Sequence, residues 1–181
     1  SSAASDVYKR QFPPIVGGAS TVIRNLLSAF ETACFAVVAE TPFSLDGCHN
    51  APAPPGIQVR RVGLPRLLRR LPFFTRFARR ARFALIPLIR RAILRNMRRI
   101  RAERLVALYP SWPFLLAAFQ AHRLTGIPLI TYYMDVTDPH PSNHPLDLQA
   151  IRHMEEVILK AASRRLVLSE IIAHDLRVRY G

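Results

Sequence analysis

The chain has 181 residues, half of them hydrophobic, with 26 Lys and Arg against 12 Asp and Glu, for a net charge of +14. This is enough length and apolar content for one domain with a buried core, and it excludes a disordered chain. No apolar run approaches the roughly 18–20 uncharged residues of a membrane span, and residues 1–11, SSAASDVYKRQ, have no apolar centre of the kind a signal peptide needs.

Along the chain, short apolar runs alternate with helix-period segments, which is the pattern of an α/β domain built on a parallel sheet. Residues 1–11 share no pattern with the other 170 and read as a non-native or disordered extension, so the domain is expected over 12–181. A doubly wound domain opens on a hydrophobic strand, and only the poor strand DVYKRQ is available here; the opening strand is expected to be missing.

The stretch FPPIVGGAS (12–20) places Gly17 and Gly18 just before a helix in which Val22, Leu26, Leu27 and Phe30 recur at helical spacing. A glycine turn at a helix N-terminus can hold a phosphate, because unpaired N–H groups point outward and no Cβ blocks the approach. A plain turn with Ser20 or Thr21 as the cap explains the same residues. The pattern is neither the three-glycine dinucleotide fingerprint nor a P-loop.

CFAVVAE (34–40) reads as a buried strand, 41–56 as a loop and IQVRRV (57–62) as a more exposed strand. Pro72 and Pro87 punctuate the next region, giving helices over about 73–86 and 88–102. In the second, Ile89, Ile93, Met97 and Ile100 form an apolar stripe, and Arg91, Arg95 and Arg98 lie on another face. RLVALY (104–109) is a strand. WPFLLAAFQAHRLTG is a mostly buried helix closed by Gly126 at the cap position. IPLITYYM (127–134) is a strand ending at Asp135, and VTDPHPSNHP is the loop after it. A helix is expected over 147–162, with Glu156 four residues ahead of Lys160. RRLVL (164–168) is a short strand, and Ser169 is placed to cap the final helix, EIIAHDLRVRYG.

Cys34 and Cys48 are the only cysteines, too few for a disulfide scaffold and without metal-ligand spacing, so free thiols in a reducing compartment are expected, a Cys34–Cys48 bridge being the other reading. His140 and His144 share a loop with three prolines, which suits solvent exposure better than a metal site.

Three blocks taken in order resemble the N-terminal domain of GT-B glycosyltransferases, and most closely the retaining family 4 group: FPPIVGGAS with LLSAF, then RAERLVALYPSWPFLLAAFQAHRLTGIPLITYYMD, then EEVILKAASRRLVLSEIIAHDLRVRYG. The resemblance runs over 12–181 with gaps, and the order of the blocks carries it more than any single motif. It implies a Rossmann-like parallel sheet flanked by helices, forming one half of a GT-B architecture. The implied activity is transfer of a hexose, with retention, from a nucleotide-sugar donor to an acceptor glycan or lipid-linked sugar, without a metal or other cofactor. Gly17 and Gly18 would lie near the donor diphosphate, and His140 and His144 would contact the acceptor. Asp135 matches an aspartate at a strand end that serves catalysis. Many members carry His before it where this chain has Met134, and the second acid of the Met-Asp members is Val136 here. A capping carboxylate is the other reading of Asp135. Ser169 and Glu170 match the family's closing Ser-Glu at the cleft, and a cap alone also explains Ser169. The resemblance further implies a C-terminal donor-binding domain outside these 181 residues, so the isolated chain is expected not to turn over.

The charge is concentrated. Residues 57–104 hold 16 arginines and one acid, Glu103, while the rest of the chain is nearly neutral. Three readings stand: a solvated helix face, an anionic membrane surface, or nucleic acid. For a membrane, Arg76, Arg79, Arg80, Arg91, Arg95 and Arg98 would meet headgroups, and Phe73, Phe74, Phe77 and Phe83 would insert between them. No recognisable DNA or RNA module accompanies the arginines, which places nucleic acid last. The expectation is a cytoplasmic enzyme, peripheral on the membrane. The alternative from another class is a non-catalytic, arginine-rich protein that binds anionic membrane or nucleic acid.

Overall fold

A computed structural model describes residues 36–40, 58–62, 83–109, 111–134 and 145–181. Every strand pairing in it is parallel, and from Gln58 onward the strands and helices alternate, as in an α/β fold. The chain divides into two compact units, Ser1–Ala102 and Glu103–Gly181.

In the first unit, β1 (Ala36–Glu40) pairs with β2 (Gln58–Val62) in parallel, Ala36 opposite Gln58 and Glu40 opposite Val62. Helix α1 (Ile86–Ile100) packs against both strands. It does so through Ile89, Ala92, Ile93 and Met97, all buried, while Arg91, Arg95 and Arg98 face outward. A stripe repeating every three to four residues fills one side of a 3.6-residue helix, so its complement of arginines is left to solvent. Sequence spacing puts the start of this helix at 88, after Pro87. The structure starts it at Ile86 and holds Pro87 in the first turn. A proline is at home there, because no intrahelical acceptor awaits its missing N–H.

The helix stops at a left-handed residue, Arg101, with φ 51°. The Arg101 amide donates to the Arg98 carbonyl and the Ala102 amide to the Met97 carbonyl at 2.9 Å. This pair of bonds is a Schellman closure, made without the usual glycine.

The second unit is β3 (Leu105–Tyr109), α2 (Trp112–Thr125), β4 (Leu129–Tyr133), α3 (Pro145–Ala161), β5 (Arg164–Val167) and α4 (Glu170–Tyr180). The sheet order is β3-β4-β5, with β4 central. Leu105 pairs with Leu129 and Tyr109 with Tyr133, and Tyr133 in turn pairs with Val167. The three strands therefore end level. Helix α2 packs against β3 and β4, and α4 against β5. Leu129, Thr131 and Tyr133 of β4 are wholly buried, as are Leu115, Ala117 and Ala121 of α2 and, nearly so, Ile158 and Leu159 of α3. Alanines at 117 and 121 leave room for the helix to lie close to the strands.

Strand β4 begins at Leu129 rather than at Ile127. Pro128 has no N–H to give the ladder, although its carbonyl accepts from the Leu105 amide at 3.0 Å. Gly126 closes α2 with φ +72° and donates to the His122 carbonyl at 2.8 Å, as the sequence pattern requires. The Glu156–Lys160 pair forms at 2.5 Å on an exposed face of α3.

Beneath the helices lies a polar cluster. Glu155 is wholly buried, and Tyr180 donates to its Oε2 at 2.5 Å. Tyr133 is also wholly buried and stacks on Tyr109, with centroids 4.8 Å apart and planes 18° from parallel. Burial above all, and then the nearby Glu155 carboxylate, push the Tyr133 phenol far above its ordinary range. Its hydroxyl senses Glu155 without reaching hydrogen-bonding geometry. Tyr180 is raised for the same reasons, first by burial and then by its bond to Glu155.

Candidate functional site at the carboxyl rim

In an open parallel sheet, ligands bind outside the carboxyl ends of the strands, where the loops diverge and helix N-termini point outward. In the second unit that rim is formed by the ends of β3, β4 and β5, held level by the Tyr109–Tyr133–Val167 register. Leu168 extends the ladder one step further, donating to the Tyr133 carbonyl at 2.9 Å.

Ser169 and Glu170 sit on this rim. Ser169 has extended backbone, φ −149° and ψ 159°, and its Oγ accepts from the Ile172 amide at 3.4 Å. Its hydroxyl is thus engaged in capping α4. Glu170 occupies the first helical turn and is exposed, and its negative charge suits the positive end of the helix.

At the neighbouring strand end the same residue type behaves differently. Ser111 is the N-cap of α2, yet its side chain caps nothing. Its carbonyl accepts from the Phe114 amide at 3.1 Å and from the Leu115 amide at 2.9 Å, while Oγ is buried and has no partner among the described residues. A buried hydroxyl left unpaired costs about 1–3 kcal/mol. Beside it stands Trp112, half-buried, its ring edge-on to Tyr109 at 5.8 Å and 85°. The sequence marks Ser111 and Trp112 only as the start of a helix. The one signal available was their position, immediately beyond a strand end.

Of the residues expected to form the site, Gly17, Gly18, Asp135, His140 and His144 lie outside the described residues, as do Arg76, Arg79 and Arg80. The segments 1–11 and 12–35, with Cys34, lie outside them too, and so do Cys48, residues 73–82 of the helix expected over about 73–86, and Phe73, Phe74 and Phe77. Arg91, Arg95 and Arg98 are brought together along the exposed face of α1.

An open groove of about 390 Å³ lies elsewhere in the second unit, lined by Arg152, His153, Glu156, Arg179 and Tyr180. Tyr180 is some eleven residues past Ser169, roughly 16 Å along the helix, so the groove is separate from the rim. Among its lining residues Glu156 is paired with Lys160, and Arg179 with Asp175 at 2.8 Å.

The parallel sheet, the level strand ends and the helices that begin just beyond them define a Rossmann-like α/β domain with its ligand edge at the rim. A family model of the glycosyl transferase 4-like domain matches residues 17–181. The chain belongs to that family and carries a glycosyltransferase domain, one half of a GT-B architecture. No curated protein and no solved structure matches the chain significantly. No helix among the described residues is long and apolar enough to cross a membrane.

Proposed function

We propose that the chain is the acceptor-side, N-terminal lobe of a retaining hexosyltransferase that uses a nucleotide-sugar donor and a glycan or lipid-linked acceptor. The observation that carries this reading is the family match, which opens at Gly17 and runs to Gly181. In this proposal Gly17 and Gly18 lie against the donor diphosphate, Asp135 serves catalysis and His140 and His144 meet the acceptor. Glu170, exposed beside the Ser169 cap, faces the cleft. The reaction runs without a metal or another cofactor.

The experiment is saturation-transfer NMR on the 181-residue chain with UDP-glucose and GDP-mannose, beside a radiolabel transfer assay. Nucleotide-sugar binding that Gly18→Val abolishes, without transfer, is the expected result. Transfer of label by the 181-residue chain alone would overturn the single-lobe reading, and failure of both nucleotide-sugars to bind at millimolar concentration would take Gly17 and Gly18 away from the donor diphosphate.

Membrane association, on the cytoplasmic side, is part of the same proposal. What supports it is α1, which carries no acid in its first turn and turns Arg91, Arg95 and Arg98 outward. Its apolar stripe is already committed to β1 and β2. Contact through α1 is therefore chiefly by charge, with Leu88 its one large exposed apolar side chain, and is worth about 1 kcal/mol per arginine at an anionic surface and weakened by salt. Flotation with anionic and neutral vesicles, run beside a salt-titrated DNA shift, separates this from the arginine-rich, nucleic-acid-binding alternative. Tight DNA binding with no flotation would reverse the order of the two.

A further inference from the structure

We propose that the open groove lined by α3 and α4, away from the carboxyl rim, binds a phosphate monoester whose organic part carries hydroxyl groups. The phosphate lies between the guanidiniums of Arg152 and Arg179, and the hydroxyls face the Glu156 carboxylate. This site is additional to the donor and acceptor positions at the rim and does not depend on them.

The groove is built by convergence of two helices. Arg152, His153 and Glu156 come from α3, where positions three and four apart are neighbours on one face. Arg179 and Tyr180 come from the last turn of α4. Burial and the bond to Glu155 push the Tyr180 phenol up, while Arg179 and Arg152 both act against that rise. Both guanidiniums therefore stand near one hydroxyl, although they belong to different helices. That hydroxyl is anchored on the wholly buried Glu155, which fixes one wall of the groove.

Charge decides what fits. Glu156 is matched by Lys160 at 2.5 Å, and Arg179 is bridged to Asp175 at 2.8 Å. Arg152 is exposed and in no ion pair among the described residues. The last turn of α4 carries the negative end of the helix dipole, which Arg177 and Arg179 offset. The surplus is a cation, so the groove attracts an oxyanion. Planar guanidiniums meet the oxygens of a phosphate in bidentate fashion, and an arginine offers five N–H donors, more than one carboxylate oxygen engages. Bare phosphate leaves most of the space empty, because about 390 Å³ is the size of a small-molecule site. Glu156 repels a second anionic group but accepts hydrogen bonds from hydroxyls. A phosphorylated polyol suits both ends, and a polyphosphate suits only one.

Amide NMR of the 181-residue chain, titrated with glycerol phosphate, inorganic phosphate, pyrophosphate and glycerol, tests this. The chain holds 26 lysines and arginines, so the readout has to be local. The expected result is saturable shifts of the Arg152, His153, Arg179 and Tyr180 amides with glycerol phosphate, weaker ones with inorganic phosphate and none with glycerol. Arg152→Gln, an exposed change, should weaken glycerol phosphate roughly tenfold, as the loss of a charge-assisted hydrogen bond implies. Arg91→Gln on α1 should leave the affinity at this groove unchanged. Glu156→Gln should narrow the preference for glycerol phosphate over inorganic phosphate and tighten pyrophosphate. Shifts confined to residues outside the groove, or parental affinity in Arg152→Gln, would overturn the site. Equal binding of glycerol phosphate and inorganic phosphate by the parent chain would overturn the role of Glu156 and with it the organic ligand.

Discussion

Tyr180, near the end of α4, donates a 2.5 Å hydrogen bond to Glu155, a wholly buried carboxylate in α3. The two residues are 25 positions apart and tie the last helix to the one before it. Among the described residues α4 packs chiefly on β5, so this bond has a mechanical role as well as an electrostatic one.

Tyr180→Phe removes the donor and leaves the carboxylate buried with one bond fewer. The expected loss is about 1–3 kcal/mol, because an unsatisfied buried acceptor forfeits its hydration. Urea denaturation followed by far-UV circular dichroism measures it. An unchanged midpoint would show that Glu155 finds a replacement donor.

The same cluster sets an alkaline limit. Tyr133 and Tyr180 both have phenols raised above the ordinary value of 10.0, so the folded state holds their protons more tightly than the unfolded state does. Their contribution to stability is complete below pH 10 and is lost as the pH rises beyond it. Phenolate absorbance near 295 nm should therefore appear for these two residues only together with loss of structure. Their ionisation in a still-folded chain would contradict the burial seen here.

Two left-handed helix ends make opposite predictions. Gly126→Ala meets no atom within 4 Å of the new Cβ, so its cost is backbone strain alone, about 1 kcal/mol at φ +72°. Arg101→Gly relieves the same strain at φ 51° and should add up to about 1 kcal/mol. Paired thermal melts of the two variants test the sign of each.

Ser169→Ala removes the α4 cap. Loss of such a cap costs about 0.5–2 kcal/mol in general, and the 3.4 Å separation places this one toward the lower end, at about 0.5–1 kcal/mol. Amide exchange in the first turn of α4 should accelerate, while the amides of β4 remain as slow as in the parent.

Replacing Arg91, Arg95 and Arg98 together with Gln removes like charges spaced three and four apart on one face of α1. Stability should hold or rise by a few tenths of a kcal/mol per pair. Vesicle flotation should fall sharply and lose its salt dependence. Retained flotation would place the lipid contact elsewhere in the chain.

The sequence was most legible where one local rule acts alone. Period-2 and period-3.6 patterns locate β1, β2, β3, β4, β5 and the helices between them to within two or three residues. The Gly126 stop and the Ser169 cap follow from backbone chemistry at single positions. The start of α1 was less legible, because a proline reads equally well as a break or as a first-turn residue, and only packing on β1 and β2 decides. Glu155 is a further case. At its place in EEVILKA it looks like a surface acid beside Glu156, and the donor that meets it in its buried position, Tyr180, is 25 residues away. Ser111 and Trp112 were missed for a related reason: a pattern shows that a helix begins there, but not that its first hydroxyl turns away from the backbone it would normally cap.

Pro128, directly before β4, gives the sheet a covalent stop. A slip of the central strand by two residues toward its carboxyl end would bring a ring nitrogen without hydrogen to a place where the ladder needs a donor. Pro128 therefore bars register shifts in that direction, which helps to hold Tyr109, Tyr133 and Val167 level with one another. The evenness of the edge on which a ligand would rest is in this sense written by an imino acid at the opposite end of the strand.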